Sequence, residues 1–197
     1  MLMNRILNML KNCRFMRDVH GKAGMTLSEV VLVIAIMGIL SGMGVSGFQS
    51  AIANARTKDA AYNVTAFMEK TANEARRLST TLCVQVASGN TRKLVTFRSS
   101  CPANAGQDTR IDSLVLEGAS RIINSDVPSA SLIGSVNFAS TGAEFTPRQG
   151  LSAAPNKGFF VIRYGNSDVY GAASKQDKQN SFVPLLKVST DTDWAGI

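Results

Sequence analysis

The sequence predicts an α+β protein: a long N-terminal helix, transmembrane in its first half, packed on an antiparallel β-sheet head. Three observations predict it. An apolar run, VVLVIAIMGILSGMGV from Val30 to Val45, holds sixteen residues without a charge. Behind it apolar residues recur at three- and four-residue steps, the mark of a one-sided helix. After Thr81 the period becomes strand-like and turn residues appear throughout.

The apolar run follows a basic segment. Residues 1–24 carry Arg5, Lys11, Arg14, Arg17 and Lys22 against Asp18, whereas the rest of the chain carries sixteen basic and thirteen acidic residues. The formal charge of +7 is therefore concentrated on the N-terminal side of an apolar stretch. That asymmetry is the pattern of a cytoplasmic flank. At about 1.5 Å per residue, Met25 to Phe48 is long enough to cross a hydrocarbon layer roughly 30 Å thick. Within it only Glu29 is charged.

No proline precedes Pro102, so nothing forces the helix to stop at the membrane surface. Ala61, Val64, Phe67 or Met68, Ala75, Leu78 and Leu82 mark one face, with Lys58, Asp59, Glu69, Lys70, Asn73, Glu74, Arg76 and Arg77 between them. The simplest reading is one helix over about 25–80, spanning a membrane over 25–48 and amphipathic over 49–80. The second half then buries a stripe against a head formed by 81–197. Gly38, Gly42, Gly44 and Gly47 weaken the helix, and small residues at close spacing also allow tight helix contacts in a membrane.

In the head, Leu82–Ala87 and Lys93–Arg98 read as a hairpin around Ser88-Gly89-Asn90-Thr91-Arg92. Further strands are expected at Ser113–Leu116, Ser120–Ile123, Ser135–Phe138, Phe159–Tyr164 and Phe182–Val188. Once Cys13 is set apart with the basic segment, Cys83 and Cys101 remain. The pair is compatible with one disulfide in an oxidising compartment and equally with two buried thiols.

Lys22-Ala23-Gly24-Met25-Thr26-Leu27-Ser28-Glu29-Val30-Val31 resembles the type IV prepilin cleavage and methylation motif. In that family a glycine precedes the cut, an apolar residue follows it, and a glutamate is fifth in the mature chain. The resemblance implies a pilin-like fold, removal of a leader over 1–24 after Gly24, and N-methylation at Met25, where the family most often has Phe. It also implies that Glu29 directs assembly by pairing with the N-terminal amine of a neighbouring subunit. Ala66-Phe67-Met68-Glu69-Lys70 through Arg77, followed by Leu82-Cys83-Val84, is similar to the helix end and first strand of GspH/FimT minor pseudopilins. Val136-Asn137-Phe138-Ala139-Ser140-Thr141-Gly142 and Gly158-Phe159-Phe160-Val161-Ile162 resemble their head strands more loosely. Ser46 stands where many major pilins have a bending proline, and Asp191-Thr192-Asp193-Trp194 lacks their Arg-containing C-terminal pattern.

The expected function is a minor subunit of a type II secretion pseudopilus or a type IV pilus. Its expected partners are a prepilin peptidase/methyltransferase, other pseudopilins or pilins, an inner-membrane assembly platform and membrane lipid. The expected location is the inner membrane, crossed once, with the N-terminus cytoplasmic and the head periplasmic. No enzyme chemistry and no cofactor are expected: His20, the only histidine, lies in the basic segment, and no Cys-x-x-Cys, phosphate loop or metalloprotease motif occurs. Asp191 and Asp193 are the one acidic pair with calcium chemistry, and a solvated chain end is the simpler account of them.

Two alternatives stand beside this reading. One is a DNA-binding minor pilin for DNA uptake, with nucleic acid held by Arg76, Arg77, Arg92, Lys93 and Arg98 if these converge. The other is a conventional signal-anchored or secreted protein, cut after Ala55 at Ala53-Asn54-Ala55.

Overall fold

A computed structural model describes residues 25–102, 110–124, 136–148, 150–152, 158–175, 182–188 and 194–197. The chain is α+β: one long apolar N-terminal helix and two antiparallel five-stranded sheets. It divides into two compact units, Met1–Val45 and Ser46–Ile197.

Helix α1 runs from Leu27 to Leu78. Every side chain described between Leu27 and Ile52 is exposed. From Ala53 the pattern is one-sided, with Ala53, Thr57, Ala60, Ala61, Val64, Phe67, Met68, Thr71, Ala72 and Ala75 buried and the charged residues outside. These are the three- and four-residue steps that keep one helical face inward. Thr65 and Thr71 lie in this buried face because their hydroxyls donate to Ala61 O and Phe67 O, 2.8 Å each. The helix closes on Leu78, two residues short of the expected end near 80. Ser79 N–H donates to Arg76 O and Thr80 N–H to Ala75 O, a Schellman cap with Ser79 at φ +50°.

The first sheet joins β1 (Leu82–Ala87), β2 (Asn90–Phe97), β3 (Arg110–Val115), β5 (Ala143–Thr146) and β6 (Gly150–Leu151) in the order β3-β2-β1-β5-β6. The β1–β2 hairpin turns on Ser88-Gly89, with Ala87 opposite Asn90 and a bulge beside it. Gly89, at φ +74°, supplies the backbone conformation that a side chain would resist. The second sheet joins β4 (Ser120–Ile123), β7 (Phe159–Tyr164), β8 (Val169–Lys175), β9 (Phe182–Val188) and β10 (Ala195–Gly196) in the order β10-β9-β8-β7-β4. A head of one sheet was the expectation, and two are found.

Of the expected strand over Ser135–Phe138, the described residues 136–138 do not form one. Asn137 makes a single parallel bridge to Phe159, and a short helix α2 (Phe138–Thr141) starts at Phe138. Asn137 is the reason: its Oδ1 accepts from Ala139 N–H at 2.9 Å, which caps a helix rather than extending a ladder.

Both sheets present alternate residues to α1. Leu82, Val84 and Leu94 from one, with Ile122, Phe160, Ile162 and Ala173 from the other, join Val64, Phe67 and Met68 in one core. The intervening residues of the second sheet, Phe159, Val161, Tyr170, Ala172 and Leu185, gather with Trp194 on its opposite face. Helix and sheet approach closely at Gly171, where an added Cβ would lie 2.9 Å from Thr57 O and 3.1 Å from Ala61 Cβ.

Candidate functional site

Thr26-Leu27-Ser28-Glu29 opens α1 as a capping box. Glu29 N–H donates to Thr26 Oγ1 at 3.4 Å, while Glu29 Oε2 accepts from Thr26 N–H at 3.0 Å and from Thr26 Oγ1 at 2.9 Å. The side chains thus satisfy each other's backbone donors at the positive end of the helix. The sequence reading sought the partner of this carboxylate in another subunit. The structure holds one in its own chain, three residues away. The pattern Thr-x-x-Glu before an apolar run was the sequence feature that announces this arrangement. Among the described residues, Oε1 of Glu29 has no hydrogen-bond partner.

Beyond the cap lies a bare apolar surface. Leu27 is 85% exposed, Ile34 63%, Leu40 64% and Phe48 68%. Among the described residues this is the one helix long and apolar enough to cross a membrane. Gly38, Gly42 and Gly47 have nothing within 4 Å of where a Cβ would stand. Among the described residues no contact therefore explains their small size. Each costs the helix about 1 kcal/mol relative to Ala.

Cys83 and Cys101 are joined by a disulfide, Cα to Cα 5.3 Å. It ties the start of β1 to the segment that follows β2. Cys83 is fully buried. Glu144, opposite Cys83 on β5, accepts from Cys101 N–H at 3.0 Å, and Gly142 leaves room for both sulfurs. Cys101 and Pro102 are joined by a cis peptide bond.

The five basic residues considered for nucleic acid do not gather into one patch. Arg98 follows β2 at the end where Phe97 faces Cys83, whereas Arg92 and Lys93 lie at the hairpin end. Six residues of extended chain separate them, roughly 20 Å. Arg77 is engaged by both carboxylate oxygens of Glu74, which raises its pKa and lowers that of Glu74. Arg92 donates to Leu116 O at 3.3 Å.

Another ion pair clamps α1 to the edge strand β3. Lys70 Nζ donates to Asp112 Oδ2 at 2.8 Å. That hydrogen bond raises the Lys70 pKa and holds the Asp112 carboxyl below its usual range, helped by Ser113 N–H.

Gly24, His20, Asp191 and Asp193 lie outside the described residues. Within them no group of three or more His, Cys, Asp or Glu side chains is placed to hold a metal ion. The Ala53-Asn54-Ala55 segment lies inside α1 with Ala53 buried. No family model, no curated protein and no solved structure matches the chain.

Proposed function

We propose that the protein is a minor pilin or pseudopilin: a non-enzymatic subunit cleaved after Gly24, anchored by the first half of α1 and polymerised through the same surface. The observation that carries this reading is the contrast along one helix. From Ala53 onward its apolar face is covered by the head, and before that its apolar side chains are bare on every side. An all-round apolar helix requires lipid, partner helices or both. Glycines with no neighbour among the described residues fit close approach by another helix.

Glu29 fits the same reading in two states. Before assembly its Oε2 is held by Thr26, which lowers the cost of placing a carboxylate at the edge of a membrane. Cleavage at Gly24 would create an α-amine on Met25, and a neighbour's amine can reach the remaining oxygen. In this scheme the prepilin peptidase/methyltransferase acts at Gly24 and Met25, and an inner-membrane assembly platform stacks the subunits with the head periplasmic.

The test is the mass of the N-terminal peptide of the protein from native membranes. A chain beginning at methylated Met25 is expected, and recovery of intact Met1 or of a chain beginning at Arg56 refutes the reading. Glu29→Gln separates the two roles of the carboxylate, because glutamine also serves a capping box but carries no charge. Glu29→Gln is expected to insert into the membrane yet fail to co-purify with filament subunits, as Glu29→Ala does. Normal incorporation of Glu29→Gln would mean that the residue serves only as a cap.

A further inference from the structure

A cleft of about 660 Å³ opens where α1 ends, between its last turn and the β5–β6 turn, lined by Arg76, Ser79, Thr146, Pro147 and Arg148. Two guanidinium groups from positions 72 residues apart in the chain face one space, with two hydroxyl side chains beside them and no carboxylate in the lining. Three exposed cations elsewhere do meet carboxylates: Lys70 with Asp112, Arg77 with Glu74 and Arg56 with Glu117. Among the described residues neither Arg76 nor Arg148 has an acidic partner.

Arg76 is not needed to cap the helix. The carbonyls of Ala75 and Arg76 are already taken by Thr80 and Ser79 N–H groups. Its one described hydrogen bond, to Asn73 Oδ1 at 3.4 Å, leaves most of a guanidinium's roughly five donors unused. Ser79 adds an independent point. It is the one non-glycine residue at positive φ among the described residues, in the position of a Schellman cap that glycine fills without strain. A residue with a side chain there gives up helix-end stability and places a hydroxyl at the cleft.

We propose that this cleft binds a single phosphate-class oxyanion, with Arg76 and Arg148 supplying charge and paired N–H donors and Ser79 a flanking hydroxyl, while the Thr146 hydroxyl donates to Gly150 O at 3.4 Å. Planar guanidinium forks suit such oxygens. The source is a solute phosphate and not a lipid headgroup. Arg76 lies 28 residues beyond Phe48, roughly 42 Å along a helix. That choice of source rests on the membrane-span reading; the cleft chemistry does not.

Calorimetry of the full chain in non-ionic detergent, at low salt in a phosphate-free buffer, tests this with inorganic phosphate as the probe. Saturable one-to-one binding is expected, weakened about tenfold or more in Arg76→Gln and in Arg148→Gln. Arg92→Gln, altered at the far hairpin end, should bind as wild type. Ser79→Gly should melt at a higher temperature yet bind phosphate more weakly, a pair of opposite shifts that a purely structural serine does not give. Heats that do not saturate, or wild-type affinity in both arginine variants, would overturn the proposal. Duplex DNA binding that free phosphate cannot compete away would overturn it in favour of a polyanion surface. Anionic vesicles that bind at Arg76 and Arg148 while inorganic phosphate does not would overturn the choice of a solute ligand, whatever the fate of the pilin reading.

Discussion

Replacing Gly171 with alanine tests how the Ser46–Ile197 unit holds its part of α1. Gly171 sits on β8 and shows no unusual φ, so alanine can adopt its backbone conformation. In open space the change would stabilise a protein by about 0.4–1 kcal/mol, because the unfolded chain loses freedom. Here the new methyl would meet Thr57 O at 2.9 Å, Thr57 Cγ2 at 3.1 Å and Ala61 Cβ at 3.1 Å. The first of these is backbone, held in a helix, and cannot rotate away. Overpacking of this kind costs about 1–3 kcal/mol. In a domain of this size each kcal/mol moves the melting temperature by about 2–4 °C, so a drop of about 2–10 °C is expected by circular dichroism of the detergent-solubilised chain. Thr57→Ser deletes one of the three obstacles. In the Gly171→Ala background it should recover part of the loss, with a coupling of about 0.5 kcal/mol or more. A Gly171→Ala protein that melts at or above the wild-type temperature would refute the claim that helix and sheet are in contact at this point.

Two further outcomes follow from the head. Serine at Cys83 and Cys101 opens a link between residues 18 apart, for which chain entropy alone gives about 3 kcal/mol, and urea unfolding should show a loss of that order. Asp112→Asn should lower the melting temperature at pH 7, and salt should shrink the difference. The Asp112 pKa is depressed in the folded state, so its contribution is present above the unfolded carboxyl value and is lost as pH falls through the folded one. Lys70 is raised, so its share persists below the unfolded ammonium value and is lost only as pH rises through the folded one. The difference between Asp112→Asn and wild type should therefore vanish in strong acid and hold through the neutral range; a constant difference down to low pH would contradict the pairing.

The long helix was legible because its code is local. Charges interrupt the apolar residues at helical spacing, so Ala61, Val64, Met68 and Ala75 identify the inward face without knowledge of what covers them. Strands β4, β7 and β9 stood out for the same reason: they are short apolar runs between turn residues. Strand β8 did not, because VYGAASK is made of small residues that signal weak strand preference. Their smallness serves a contact made elsewhere in the chain, where Gly171 admits α1. Asn137 was read as part of a strand because Val136 and Phe138 beside it are strand-forming residues, and only its side chain, accepting from Ala139 N–H, shows a helix cap. The division into two sheets has no local signature: β1 pairs with β5 some sixty residues on, and nothing in either segment names the other. Arg148 went unnoticed because it is an isolated cation after Pro147, and only the β5–β6 turn brings it to Arg76.

The apolar surface of α1 asks for two kinds of partner, and the chain supplies only one. Past Ala53 the partner is internal, built from alternate residues of both sheets, and the stripe is narrow because the opposite face meets water. Before Ala53 there is no stripe at all; leucine, isoleucine, valine and methionine occupy every side. A helix that merely linked a head to something else would gain nothing from apolar residues all round, and in water it would bear their cost. A helix that only crossed lipid would gain nothing from Gly38, Gly42 and Gly47, which weaken it and touch nothing else among the described residues. On the proposed function, lipid would account for the leucines and a neighbouring helix for the glycines. A subunit that waits in a membrane and leaves it for a filament, as proposed above, would need both on the same surface.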